Sequence, residues 1–518
     1  MEYDVIVIGS GPAGAHAALP LIEAGKSVLM IDGGKVGPQI LRELPPLRYD
    51  EIRRTREDQW KWFLGEDLSS IPLGGLEGGL GGGMTSGNRK YVLEDADQLL
   101  PIERHNAQVI QSLALGGLGA AWGAASAFFS RAQLDFLGLS EIDLEPWYSR
   151  ISESIGISGP SDRPAVQPPL PADHHVRAMQ KRYNTDRAWF QEQNLKMVLP
   201  HSAVLTTDKG ERKKNPLRDM DYFSDPEQSV YRPAMTVEHL LQRPNFQFHA
   251  AVVRRFEERA GLVKIESETM GTGETVTHTA KHLILAAGAV NTARILLQSK
   301  GIDTPVSFVG KPHVFTAVLH PALLGKKGDD DRFSLCQALL IDEQGEEGIE
   351  AGSAQLYSYR SMGLFRIVRS IPLPMPLALR TAALLSPALM VADIRFSALP
   401  GKNSLRMHEG TVSISMSVSD EEKKQRQKTL RRIHQGLRKL GAFPARTLTL
   451  PEGSSSHYAG TVPIEDVPKL PLSCDKNGQV HGSERIFVAD ASMFVKLPSL
   501  PHTLTIMANA RRVASGLI

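Results

Sequence analysis

Hydrophobic positions fall into distinct patterns along this 518-residue chain. An unbroken apolar run, Val5 to Ile8, leads into Gly9-Ser10-Gly11-Pro12-Ala13-Gly14, and small apolar residues continue to Ala24. That order predicts a buried strand, a tight turn and a helix over roughly Ala13 to Ala24. A second run, Ser27 to Ile31, ends on Asp32 and completes the opening βαβ unit of a doubly wound sheet. Strand-like patterning returns over Phe246–Phe256 and, more loosely, Leu262–Thr279. Lys281 to Gln298 then reads as a buried strand, an Ala-Ala-Gly turn and a helix. Residues 305–420 alternate enough to supply strands of a second sheet, and Asp420 to Leu440 forms an amphipathic helix, acidic at its start and basic at its end. Near the C-terminus, Ile486 to Val488 predicts a strand, Asp490-Ala491-Ser492 a polar turn, and the stretch after His502 a last helix.

Between these lie less regular pieces. Residues 36–70 are polar and arginine-rich, as a surface excursion would be, and 71–90 are crowded with glycine, which suits a lid or a linker. Leu113 to Ala127 surrounds Trp122 with glycine and alanine, so backbone can approach a ligand closely there. A helix from Leu144 is expected to stop at Gly159-Pro160. Ile371 to Ala392 is strongly apolar yet holds Arg380, Pro372, Pro374, Pro376 and Pro387. Those breakers argue against a spanning helix. They favour a buried or surface-lying helix pair, a lid over an apolar pocket, or peripheral membrane contact.

The chain is too long for one simple core, so two domains sharing an interface are expected. A hydrophobic content of 42% and a charged content of 22% are those of an ordinary globular protein. A net charge of +2, from 59 basic and 57 acidic residues, offers no electrostatic case for nucleic acid. Cys336 and Cys474 argue for a reducing compartment, and the early first strand for a cytoplasmic protein without a leader.

The glycine turn carries the first chemistry. Gly9 permits the tight turn, Gly11 lets phosphate oxygens reach backbone N–H groups, and Gly14 allows close packing of helix on strand. Asp32, 18 residues past Gly14, would accept hydrogen bonds from an adenosine ribose. The motif alone fits NAD or FAD. Its N-terminal place, the dispersed strand-turn pieces at 283–289 and 486–492, and the lack of a second glycine turn for a nicotinamide favour FAD.

Five pieces in order, GSGPAG (9–14), GGLGAAWGAAS (116–126), LILAAGAVNTARILL (283–297), HYAGT (457–461) and VADASMF with HTLTIMANA (488–494, 502–510), resemble the glucose–methanol–choline (GMC) oxidoreductase family. Residues 160–245 and 320–450 match it only loosely. The resemblance implies an α/β fold: a Rossmann-like FAD-binding domain made of 1–159, 236–304 and 466–518, and an α+β substrate domain on an antiparallel sheet made of 160–235 and 305–465. It implies that Gly9, Gly11, Pro12, Ala13, Gly14, Asp32 and Gly33 hold the ADP half of FAD. Gly117, Ala121, Trp122 and Gly123 would lie along the flavin, Val252 and Val253 beside the adenine, and Ala287 and Gly288 at the ribose or pyrophosphate. Asp490 and Ala491 would meet the pyrophosphate or ribityl chain, and Thr503 completes the cofactor set. Some relatives carry a flavin-linking histidine where this chain has Ala121, so the FAD is expected to be non-covalent.

His457 matches the family's active-site histidine, which takes a hydroxyl proton while hydride passes to flavin N5; an imidazole titrating near neutrality suits that task. The second family position departs from pattern. Pro501 takes the usual Asn slot without gaps, and a one-residue slip would bring His502 into the site instead. His502 is the residue expected to bind the substrate oxygen. The remaining histidines, His313, His320 and His408 among them, show no metal spacing. The implied activity is oxidation of an alcohol, hydrophobic or lipid-linked, or else a sugar or glycoside, with oxygen, a quinone or another electron acceptor. Flavin-dependent lyase or decarboxylase chemistry without net redox and non-catalytic flavin binding are the competing readings.

Overall fold

The computed structural model describes residues 2–63, 65, 87–140, 142–164, 166–221, 224–326, 328–346, 348–358 and 371–518. Most of the glycine-crowded stretch at 71–90 therefore lies outside the described residues. In chain order, the elements that build the site begin with β1 (Glu2–Ile8), α1 (Pro12–Glu23), β2 (Val28–Asp32) and β3 (Leu195–Val198). Next come β4 (Phe246–Arg259), β5 (Leu262–Thr269), β6 (Thr275–Leu285) and α2 (Gly288–Lys300). Then follow β7 (His313–Leu319), β8 (Ala338–Asp342), β9 (Gly352–Tyr357), α3 (Met375–Leu385) and β10 (Leu389–Phe396). The last are α4 (Asp420–Lys439), β11 (Phe443–Thr449), β12 (Ile486–Val488) and α5 (Thr503–Ser515).

The first sheet is parallel at its centre: β1 pairs with β2 and β6, β2 with the start of β4, and β6 with β12. Strand β1 is apolar throughout its second half because both of its faces are covered there. Val5 and Val7 pack with the alanines of α1 and with Ala510 and Val513 of α5, while Ile6 and Ile8 join the larger core. The rest of β4 forms an antiparallel meander with β5 and β6, so the loose strand expected over 262–279 is two strands.

The second sheet is antiparallel, in the order β11-β7-β10-β9-β8-β3. Its strands alternate, as a sheet with two unlike faces requires. Val314, Ala354, Leu356, Ala392 and Ile394 meet Ile433 and Leu437 of α4. The intervening positions put His313, Ser353, Gln355, Asp393 and Arg395 on the other face. Helix α4 keeps the expected charge order and starts at a capping box between Ser419 and Glu422.

Three local expectations change. The segment 36–70 is not simply a surface excursion, since Ile52 and Trp62 are buried against Met220. The helix after Leu144 passes into a π-turn and gives way to strand at Ile157, before Gly159. Residues 371–392 form one helix, α3, a 3-10 turn and the start of the buried strand β10, not a helix pair. Among the described residues no helix is long and apolar enough to cross a membrane.

Candidate active site

The glycine turn is tight enough to exclude side chains at two of its three positions. Gly9 has φ +102°, and a Cβ there would lie 2.4 Å from Ala286 O. A Cβ on Gly14 would lie 1.8 Å from Gly9 O. At Gly11 the nearest atom to such a Cβ is 3.8 Å away, so one face of the turn stays open where α1 begins with Pro12 and Ala13. Asp32 fixes the turn from the next strand, accepting from Ser10 N at 2.8 Å and Gly34 N at 2.9 Å. Burial raises its carboxyl to about 6, against the pull of those hydrogen bonds. Gly33 presses on Leu113, and Gly116 N donates to Ser10 Oγ at 2.9 Å, which lays the Gly117–Ala121 turn over Gly11. Trp122 is held by Nε1 donating to Tyr231 O at 2.7 Å, with Gly123 partly exposed beside it.

Val252 packs with Leu113 next to this turn, whereas Val253 points into the main core on the other face of β4. Ala287 and Gly288 open α2; Gly288 has φ +82°, and a Cβ there would meet nothing within 4 Å. Asp490 is buried and its side chain is spent on the protein: it accepts from Gly288 N at 2.8 Å, Thr292 Oγ1 at 2.6 Å and Ser492 N at 2.9 Å. Burial raises its carboxyl as well. Ala491 O receives Gly460 N, which connects this turn to the loop carrying His457.

His457 and His502 meet, with ring centroids 5.0 Å apart and planes at 60°. His502 is the N-cap of α5 and is 2% exposed; Thr503 follows as the first helical residue. His457 follows Ser456, whose φ of +61° is an uncommon conformation for serine and turns the loop sharply. Its Nδ1 lies 2.6 Å from Ser455 O, an acceptor only, so Nδ1 carries the proton and Nε2 the lone pair. Arg395 Nη1 lies over the ring, 2.9 Å from that Nε2 and 3.0 Å from Nδ1.

Behind the pair stand residues that no sequence motif singles out. Arg395 is clamped by Asp393 Oδ2 at 2.7 and 2.9 Å, and Asp393 Oδ1 lies 3.1 Å from His313 Nδ1. Asp393 and Arg395 share a face because they are two apart on β10, a spacing visible in the sequence as charges interrupting an apolar strand. Lys311, fully buried, lies 3.4 Å from His502 Nδ1 through Nζ; no local pattern marks it.

Burial lowers both histidines well below the ordinary range, reinforced at His457 by Arg395 and Lys311 and at His502 by Lys311 and Arg395. Both imidazoles are therefore neutral at pH 7, further from titration than the near-neutral value expected. Burial alone would raise Asp393, but the Arg395 guanidinium and the His313 hydrogen bond outweigh it and keep the carboxylate ionised.

Residues 4–39 match a family described as FAD binding domain, and residues 409–510 match one described as GMC oxidoreductase. The C-terminal part of the chain is thus similar to the GMC oxidoreductases. The match over 409–510 takes in both His457 and His502. A search of curated proteins finds no match. Among solved structures, the crystal structure of pyridoxine 4-oxidase from Mesorbium loti aligns with a TM-score of 0.58 at 13% identity, covering 99% of each chain, and shows the shared fold.

The cofactor is FAD. The open faces at Gly11 and Gly288, each beside a helix N-terminus, leave room for its pyrophosphate. Gly14→Ala forces a Cβ into Gly9 O, so the variant is expected to lose about 1–3 kcal/mol of stability and most of its flavin, read from the ratio of flavin to protein absorbance. Acid precipitation of the wild type is expected to leave the flavin in the supernatant, since Ala121 offers no linking nitrogen; flavin in the pellet would show a bond elsewhere.

Proposed function

We propose that this enzyme oxidises a primary or secondary alcohol to the carbonyl, with His457 Nε2 taking the hydroxyl proton. The observation that carries the reading is the fixed tautomer of His457: Ser455 O holds the proton on Nδ1, leaving a lone pair on Nε2 beside the second imidazole. His502 and Arg395 Nη1 orient the substrate oxygen and stabilise the negative charge that grows on it as the proton leaves. FAD, when bound, accepts the hydride from the carbinol carbon. Ala121, Trp122, Gly123 and Thr503 would border its reactive ring, and Ala287, Gly288, Asp490 and Ala491 would border its phosphates and ribityl chain. Domain roles follow: the parallel sheet serves the cofactor, and the polar face of the antiparallel sheet serves the substrate.

That polar face holds Ser353 and Gln355, while Leu500 packs with Leu339 and Tyr357 nearby. The two characters together suit an alcohol with a polar group and an apolar part. Peripheral membrane contact through α3 fits the same picture. Met375, Leu377, Leu379 and Leu384 are exposed at 53%, 49%, 53% and 60%. Arg380 is the one charged residue in the sequence from 371 to 391, so nothing acidic there would repel an anionic lipid surface.

Anaerobic mixing with a panel of alcohols is expected to bleach the flavin for at least one class, and repetition with oxygen and a quinone identifies the acceptor. Product formed while the flavin stays oxidised would favour lyase chemistry instead. His457→Ala should slow bleaching by roughly 100- to 10,000-fold, and the wild-type rate should hold below pH 6.5, because the lowered His457 keeps its lone pair there. Leu379→Asp with Leu384→Asp should abolish co-sedimentation with anionic phospholipid vesicles; equal pelleting of variant and wild type would rule out α3 as the contact.

A further inference from the structure

Lys311 is bonded to both histidine-bearing segments, to one through its main chain and to the other through its side chain. Its backbone N donates to His457 O at 3.0 Å, and its carbonyl accepts Ser455 Oγ at 2.6 Å. Its Nζ reaches the other segment, donating to Leu500 O at 2.6 Å and Ser499 O at 3.4 Å and lying 3.4 Å from His502 Nδ1. Glu350 holds the far side of that segment by accepting Ser499 Oγ and Leu500 N, each at 3.1 Å. Burying an amine completely is costly, and an apolar side chain of similar length would pack there at less expense. Packing alone therefore does not explain a lysine.

We propose that Lys311 is a positioning residue that makes His502 a hydrogen-bond donor, so that the two imidazoles take opposite parts toward the alcohol oxygen. The inference rests on the alcohol-oxidation reading above and concerns how the same site is set. Three acceptors surround Nζ, the two carbonyls and His502 Nδ1, and an ammonium has three hydrogens to give them. With Nδ1 accepting, the His502 proton sits on Nε2. His457 is the converse, protonated on Nδ1 by its contact with Ser455 O. One ring then presents a lone pair and the other an N–H. Burial, with Arg395 beside it, lowers the Lys311 ammonium well below its ordinary range, and Glu350 and Asp393 pull against that. A neutral amine would turn its own lone pair to Nδ1 and reverse the His502 tautomer, so that tautomer reports the Lys311 proton directly.

The test is nitrogen NMR of the FAD-loaded enzyme labelled with [15N]histidine, with His502 assigned from His502→Gln. The wild type should show His502 protonated on Nε2 alone, and Lys311→Met should show a mixture of tautomers at unchanged flavin content. The same variant should reduce its flavin about 10- to 100-fold more slowly, as expected for a small misplacement of a positioned group. Lys311→Met in the His502→Gln background should cost nothing further, whereas with His457→Ala the losses should multiply. His502 protonated on Nδ1 in the wild type, or full multiplication of the Lys311→Met and His502→Gln losses, would overturn the proposal. If Lys311→Met does not fold, the wild-type tautomer still decides. Correct tautomers in an enzyme that no alcohol reduces would instead remove the alcohol reading and leave the role of Lys311 standing.

Discussion

One buried carboxylate ties the molecule together. Asp490, just past the end of β12, accepts hydrogen bonds from the N-terminus of α2 and from its own following turn, so two segments about 200 residues apart share one charge. The penalty of burying that carboxylate is offset only when every partner is in place. From this junction Ala491 O reaches Gly460, and Thr461 Oγ1 donates to Ala289 O at 2.8 Å, which fixes the loop of His457 over the cofactor sheet. Asp490 thus helps to hold the glycine turn and the histidine pair in one frame.

The electrostatics of the site follow from a second constraint. Arg395, part-buried, and Lys311, fully buried, stand near the imidazoles; Asp393 holds the Arg395 guanidinium charged, while burial lowers the Lys311 ammonium against the pull of Glu350 and Asp393. The result is a neutral histidine pair in a positive setting. Such a setting keeps a lone pair available and favours negative charge on a nearby oxygen, and it does so with groups already oriented by the sheet. His313, which has the look of an incidental histidine in the sequence, supports this balance from the neighbouring strand.

How legible the molecule was depends on the range of the interactions concerned. Gly9, Gly11, Gly14 and Asp32 could be read from the chain because the turn, the helix start and the next strand are neighbours in sequence, and the steric demand at Gly9 and Gly14 is local. The capped, dipole-ordered helix at 420–439 was legible for the same reason. Asp393 and Arg395 left a trace, two charges at strand spacing, but which face they served needed the neighbouring strands. The apolar stretch at 371–392 misled because hydrophobicity alone does not separate a buried strand from an exposed helix: β10 takes its end and α3 its middle.

The sequence by itself determined the dinucleotide turn and the βαβ unit around it, since these depend on residue type and short spacing, while the antiparallel sheet and the two histidines were implied only by the resemblance to a family. Tertiary structure alone decided that His457 and His502 face each other at 5.0 Å, which nitrogen of His457 bears its proton, and that Lys311 and Arg395 stand behind them. Lys311 and Arg395 reach their histidines across 191 and 62 positions of chain, and no short-range pattern encodes where a buried side chain finds so distant a hydrogen-bond partner.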